Sequence, residues 1–185
     1  MMIRSWCPLS KSEGNYSNAL QAVSSKGHQE IFKLFLDNGT EVNAQGGHYG
    51  NALQAASFKG HQEISKLLLD NKADVNAQGG HYGNALQAAS SEGDLEIVKL
   101  LLERGADVNM QCGHFGTALQ AALLQGHLEI VKLFLDNRAD VNAQGGEFGN
   151  ALQAASFKGY QEIIRLFLDH GAAFNPYSDK FVNAL

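Results

Sequence analysis

The sequence has few cysteines, little basic charge and no long apolar run, and each shortage excludes a class of protein. Cys7 and Cys112 are its only cysteines, too few for a disulfide framework. Fourteen Lys and Arg stand against 19 Asp and Glu, a net charge of -5. A protein that grips a phosphate backbone usually carries a basic excess, so nucleic acid is not an expected partner. No apolar run approaches the roughly 20 residues of a membrane helix, so neither is a membrane. The opening MMIRSWCPLS has one Arg but no apolar core of about 7–15 residues, so it does not read as a secretory signal. An intracellular, reducing location, cytoplasmic or nuclear, is the default expectation.

What is present is a repeat, and repeats decide the architecture before any other feature. Asn-Ala-Leu-Gln begins at Asn18, Asn51, Asn84 and Asn150, with a Thr variant at Thr117, a spacing of 33 residues. A last Asn-Ala-Leu occupies Asn183 to Leu185. Five repeats follow, at 15–47, 48–80, 81–113, 114–146 and 147–179, with a partial sixth at 180–185. The period argues for a single linear array. Residues 1–14 read either as a degenerate N-terminal cap or as a leader, since one period back Ile3 falls under Leu36 and Gly14 under Gly47. Cys112 stands where Gly46, Gly79 and Gly145 stand in other repeats, which makes it a drifted turn residue.

Each repeat reads as helix, turn, helix, loop. Asn51 can cap a first helix by accepting from its free N–H groups, and Ala52, Leu53, Ala55 and Ala56 suit a helix closely approached by its neighbour. Gly60 supplies the left-handed residue that ends it. His61 and Gln62 open a second helix, with Glu63 at the positive end of its dipole. Ile64, Leu67 and Leu68 make one apolar face, widened by Leu69. Glu63/Lys66, Glu30/Lys33, Glu96/Lys99, Glu129/Lys132 and Glu162/Arg165 are spaced as i,i+3 surface pairs. Gly105 and Gly171 mark the end of the second helix, where Lys72 and Arg138 replace glycine. A unit of this size cannot bury its own stripe and needs its neighbours to do so.

This pattern resembles the ankyrin repeat. The family's Thr-Pro-Leu-His-x-Ala-Ala opening is present in altered form as Asn-Ala-Leu-Gln-Ala-Ala. Its Gly-His-x-Glu-Ile-Val-x-Leu segment is close to literal at Gly126 to Leu133. Its Gly-Ala-Asp-Val-Asn ending matches Gly105 to Asn109. The resemblance covers about residues 15–185 and implies an all-α ankyrin-repeat solenoid. Three departures stand out. Ala19, Ala52, Ala85, Ala118 and Ala151 replace the helix-opening Pro. Gln21, Gln54, Gln87, Gln120 and Gln153 replace the His, so hydrogen bonding between repeats should differ. Tyr16, Tyr49, Tyr82, Phe115, Phe148 and Phe181 replace the turn glycine, which calls the usual hairpin tip into question. The variant looks like the ankyrin arrays of filamentous fungi, which often follow a nucleotide-binding NACHT-type domain in large sensor proteins.

The histidines at 48, 81 and 114, and at 28, 61 and 127, recur once per repeat. Equivalent residues should lie roughly 10 Å apart by helix spacing, too far for a shared metal at about 2 Å, so they read as structural or solvated. The aromatic column meets the same spacing, so a continuous stack is not expected and each ring should pack beneath its own turn. Asn43, Asn76, Asn109 and Asn142 match a loop asparagine that some ankyrin proteins have hydroxylated, although a hydrogen-bonding role is simpler. No nucleophile-base, paired-carboxylate or metal constellation breaks the pattern, so neither an enzyme nor a cofactor is expected.

The repeats differ most just before the glycine that ends the first helix. Ser25-Lys26, Phe58-Lys59, Ser91-Glu92, Leu124-Gln125 and Phe157-Lys158 stand there, so the position accepts several sizes. The resemblance places these residues on a concave face, together with the turn positions His48, His81, His114 and Glu147. The expected function is therefore a non-catalytic module that binds a protein partner, with Phe58, Lys59, Glu92, Leu124, Gln125, Phe157 and Lys158 on its groove. The alternative is a structural spacer, or a remnant of a larger fungal sensor array. No polar cap is visible at the C-terminal end, so the expectation is either a piece of a longer array or an end covered by a partner or by a second copy through self-association.

Overall fold

The computed structural model describes residues 18–146 and 149–173. Ten helices form among them. The first helices of the repeats are α1 (Ala19–Lys26), α3 (Ala52–Phe58), α5 (Ala85–Glu92), α7 (Ala118–Gln125) and α9 (Ala151–Lys158). The second helices are α2 (Gln29–Asp37), α4 (Gln62–Asp70), α6 (Leu95–Glu103), α8 (Leu128–Asp136) and α10 (Gln161–Asp169). No strand occurs among the described residues, so the fold is an all-α repeat solenoid.

Local chemistry sets the boundaries. Asn18, Asn51, Asn84, Thr117 and Asn150 each cap a first helix by accepting from the N–H of the glutamine three residues on. In α3, α7 and α9 that glutamine's Oε1 accepts in return from the cap backbone, a reciprocal arrangement that satisfies two otherwise free donors. Gly27, Gly93, Gly126 and Gly159 end four of these helices with φ of 73–80°. After the second helices, Gly39, Gly105 and Gly171 turn the chain in the left-handed region. Lys72 and Arg138 adopt the same conformation at φ 65° and 62°. The turn shape, set by neighbouring bonds such as Ala73 N to Leu68 O at 2.9 Å, overrides the side-chain preference there.

The first helices pack on one another along the array, and each second helix packs against its own first helix. Ala55 and Ala56, Ala88 and Ala89, and Ala121 and Ala122 are completely buried, short side chains that let the first helices approach. Leu20, Leu53, Leu86, Leu119 and Leu152 meet Phe32, Ile64, Ile97, Phe134 and Phe167 in one continuous core. Leu67 and Leu69 are only half-buried against it.

The surface pairs differ from the i,i+3 expectation. Glu96 and Lys99 do meet, at 2.8 Å. Lys132 instead reaches Glu162 of the next repeat, at 3.1 Å, and Arg104 reaches back to Asp70 at 2.9 Å. Stacking brings charges of adjacent second helices as close as those within one helix. The leader and the partial sixth repeat fall outside the described residues, and so does the C-terminal end to which self-association was assigned.

Candidate partner-binding face

Each turn between repeats is a five-residue hairpin closed by one backbone pair. Gly46 donates to Gly50 at 2.7 Å, and Gly79 to Gly83 at 2.8 Å. Cys112 donates to Gly116 at 3.0 Å. Cys112 thus holds the glycine position it was assigned, as a buried thiol whose Sγ donates to Gln87 Oε1 at 3.5 Å. Glutamine anchors the hairpins. Gln21 Nε2 donates to the carbonyls of Gly46 and Gly50, each at 3.0 Å. Gln87 does so to Cys112 and Gly116, and Gln120 to Gly145 and Gly149. In Gln54 and Gln120 the device is complete, with the carboxamide oxygen on the helix cap and the nitrogen on the next turn; Gln87 Oε1 instead accepts from Cys112 Sγ.

The turns approach each other more closely than helix spacing implied, which corrects two expectations. His81 N donates to His48 O at 2.8 Å, and His114 N to His81 O at 3.2 Å. A Cβ on Gly80 would lie 2.5 Å from the Gly50 nitrogen, so the contact is backbone on backbone. The side chains follow in register. His48 stacks on His81 with centroids 4.9 Å apart, and His81 on His114 at 5.2 Å. Behind them Tyr49 stacks on Tyr82 at 6.2 Å, and Tyr82 on Phe115 at 6.3 Å. From Tyr49 through Tyr82 to Phe115 the aromatic column is a continuous stack, within the range where rings attract; Tyr16, Phe148 and Phe181 lie outside the described residues. The two rows meet edge to face, as in His81 on Tyr82 at 5.2 Å.

Two groups in this wall titrate away from their ordinary values. Burial, then the neighbouring imidazoles of His48 and His114, push His81 down. Burial, then Tyr49 and Glu92, push the Tyr82 phenol up to about 12. Among the described residues no group of three His, Cys, Asp or Glu side chains could hold a metal ion.

The first-helix ends divide into engaged and open positions. Phe58 is half-buried, with its ring 4.2 Å from Tyr82 and 5.8 Å from Tyr49. It joins the helix ends to the turn column. Lys59 holds its ammonium 4.8 Å from the Phe58 centroid. Leu124 is half-buried against the core. Phe157 is 59% exposed, and Glu92, Gln125 and Lys158 are exposed with it. His48, His81 and His114 are exposed at the turns, while Glu147 lies outside the described residues. Sequence reasoning missed the coupling of Tyr49, Tyr82 and Phe58, because spacing inferred from helices does not apply to turns. The loop asparagines have the simpler role. Asn76 Nδ2 donates to Gly105 O at 3.0 Å while its Oδ1 accepts from Asp107 N at 2.8 Å.

The family model described as "Ankyrin repeats (3 copies)" matches residues 3–79 and 85–178. The chain belongs to the ankyrin-repeat family. Ankyrin repeats are protein–protein interaction modules and typically non-enzymatic. No curated protein matches the sequence. Two ankyrin departures now have physical accounts, since glutamine replaces histidine in tying the repeats and the aromatic turn residue forms a ring column. Among the described residues no helix is long and apolar enough to cross a membrane.

Proposed function

We propose that this ankyrin array binds a protein partner along the face made by its turn tips and first-helix ends. His48, His81 and His114 form the turn row, which Glu147 would extend. Phe58, Lys59, Glu92, Leu124, Gln125, Phe157 and Lys158 form the helix row. The observation that carries this reading is the contact of Phe58 with Tyr49 and Tyr82. It joins the two rows through an aromatic layer, with Tyr49 buried and Phe58 and Tyr82 half-buried, under exposed histidines and a charged rim, the residue mix that interfaces favour. Phe157, exposed at 59%, is the apolar anchor of the open end.

The test uses residues that the fold does not need. Wild type and a Gln125→Lys/Phe157→Ser/Lys158→Glu variant, matched for helicity by circular dichroism, are used to capture proteins from an extract. Proteins retained by wild type and lost by the variant support the face. Identical capture by both overturns it, and the spacer or remnant reading then takes its place.

A further inference from the structure

The seams between repeats follow a rule that one seam breaks. In each, the glycine after a first helix faces the residue that opens the next second helix. The His61 ring lies against Gly27, where a Cβ would come within 2.7 Å of it, and its Nε2 is 3.1 Å from Ser25 O. A Cβ on Gly93 would strike the His127 ring, and one on Gly126 would meet the Tyr160 hydroxyl at 3.0 Å. At the remaining seam Asp94 faces Gly60. A short carboxylate replaces the ring, and an open cleft of about 550 Å³ lies there. That size falls in the roughly 300–1,000 Å³ range of ligand sites.

The chemistry of the cleft is one-sided. Phe58 supplies an aromatic wall and Leu95 an apolar one, and a single Lys59 stands against Glu92, Asp94 and Glu96. Two of the carboxylates are committed. Asp94 Oδ1 accepts from Ile97 N at 2.9 Å, and Glu96 pairs with Lys99 at 2.8 Å. Glu92 makes no hydrogen bond or ion pair among the described residues. Independently of the carboxylates, the Phe58 ring already carries a cation, the Lys59 ammonium at 4.8 Å.

We propose that this cleft is the specificity pocket of the binding face and that it takes an arginine side chain of the partner. The inference rests on the face proposed above and names what one part of it recognises. The guanidinium stacks on Phe58 in place of Lys59 and donates to Glu92 and to the outer oxygen of Asp94. A planar, weakly hydrated cation suits a ring beside a carboxylate better than an ammonium does. At the other seams the His61, His127 and Tyr160 side chains lie against the facing glycine, so the pocket also sets the register of a bound segment along the array.

The experiment titrates the ¹⁵N-labelled full chain with acetyl-Gly-Ser-Arg-Ser-Gly-amide and with its citrulline twin, which keeps the shape and loses the charge. The arginine peptide shifts the Gly60, Gly93 and Leu95 amides saturably, and the citrulline twin binds about tenfold more weakly. Asp94→His restores the ring found at His61 and His127 and is compatible with the fold for that reason. It loses about tenfold in arginine-peptide affinity, and Glu92→Gln loses several-fold, by about the same charge-assisted bond. Equal binding of both peptides, or wild-type binding by Asp94→His, overturns the pocket. A captured partner indifferent to Asp94→His would reject the pocket and leave the face. Specific arginine shifts with no groove-dependent partner would reject the face and leave the pocket.

Discussion

Gln87 Nε2 donates to the Gly116 carbonyl at 2.8 Å, from a helix in one repeat to the turn that opens the next. The same nitrogen reaches Cys112 O at 2.9 Å, and the Gln87 N–H caps its own helix on Asn84 Oδ1 at 2.8 Å. One fully buried residue therefore joins cap, helix and neighbouring turn, its backbone N–H on the cap and its carboxamide on the turn. An array whose stability is carried by interfaces between neighbours depends on such a link more than on any single core contact.

Gln87→Ala removes this donor from two buried carbonyls; Gly116 O keeps the Cys112 N–H at 3.0 Å, so the cost falls on Cys112 O, at about 1–3 kcal/mol. The urea midpoint falls by the equivalent of about 1–3 kcal/mol, and the transition broadens as the array separates at that boundary. A loss under about 1 kcal/mol, the net value of one exposed bond, would show that the link is dispensable.

Gly83→Ala and Gly39→Ala share a left-handed backbone, at φ 89° and 72°, but not their surroundings. A Cβ at Gly83 would strike the Gln87 carboxamide and approach Cys112 C at 2.8 Å, whereas Gly39 has nothing within 4 Å. Gly39→Ala should cost only the left-handed penalty of about 1–2 kcal/mol. Gly83→Ala should cost at least about 2 kcal/mol more, by overpacking. Thermal unfolding of the pair checks the difference, and equal costs would contradict the close approach of the turns.

Lys72→Gly and Arg138→Gly remove the strain of side chains held at φ 65° and 62°. Glycine adopts that conformation freely but loses more entropy on folding, so each change stabilises by a net ~0.5–1 kcal/mol. The two sites follow α4 and α8, two repeats apart, and their effects should add. A decrease in denaturation midpoint for either variant would contradict the assignment.

Acid should weaken the turn row. The folded chain holds His81 below the ordinary value of 6.5, so on acidification the unfolded chain takes up that proton first. The contribution is complete above about pH 6.5 and is lost as pH falls through the folded value. Unfolding free energy measured from pH 7.5 to 5 should decline less steeply in His81→Phe, which keeps a ring in the stack. An unchanged slope would mean that His81 does not carry the effect.

Much of this molecule was legible in the residues alone. The 33-residue period, the Asn and Thr caps, the left-handed glycines and the Leu20-to-Leu152 core column are local or periodic signals. Capping chemistry and helical spacing act over a few residues, so the sequence carries them directly. Asp94 was also visible as the one non-ring residue in its column, though its consequence was not. That consequence needed the seam, where the residue opposite is Gly60 of another repeat.

What the tertiary structure alone decided was distance across repeats. Helix spacing of roughly 10 Å governs the core but not the turns, where glycine backbones touch and His48, His81 and His114 stack at 4.9 and 5.2 Å. Phe58 looked like an apolar anchor on an open groove, yet it is half-buried between Tyr49 and Tyr82. Its neighbours lie nine and 24 residues away in sequence, a reach that no local pattern encodes. The period determined which residues recur. The closeness of packing determined which of them meet.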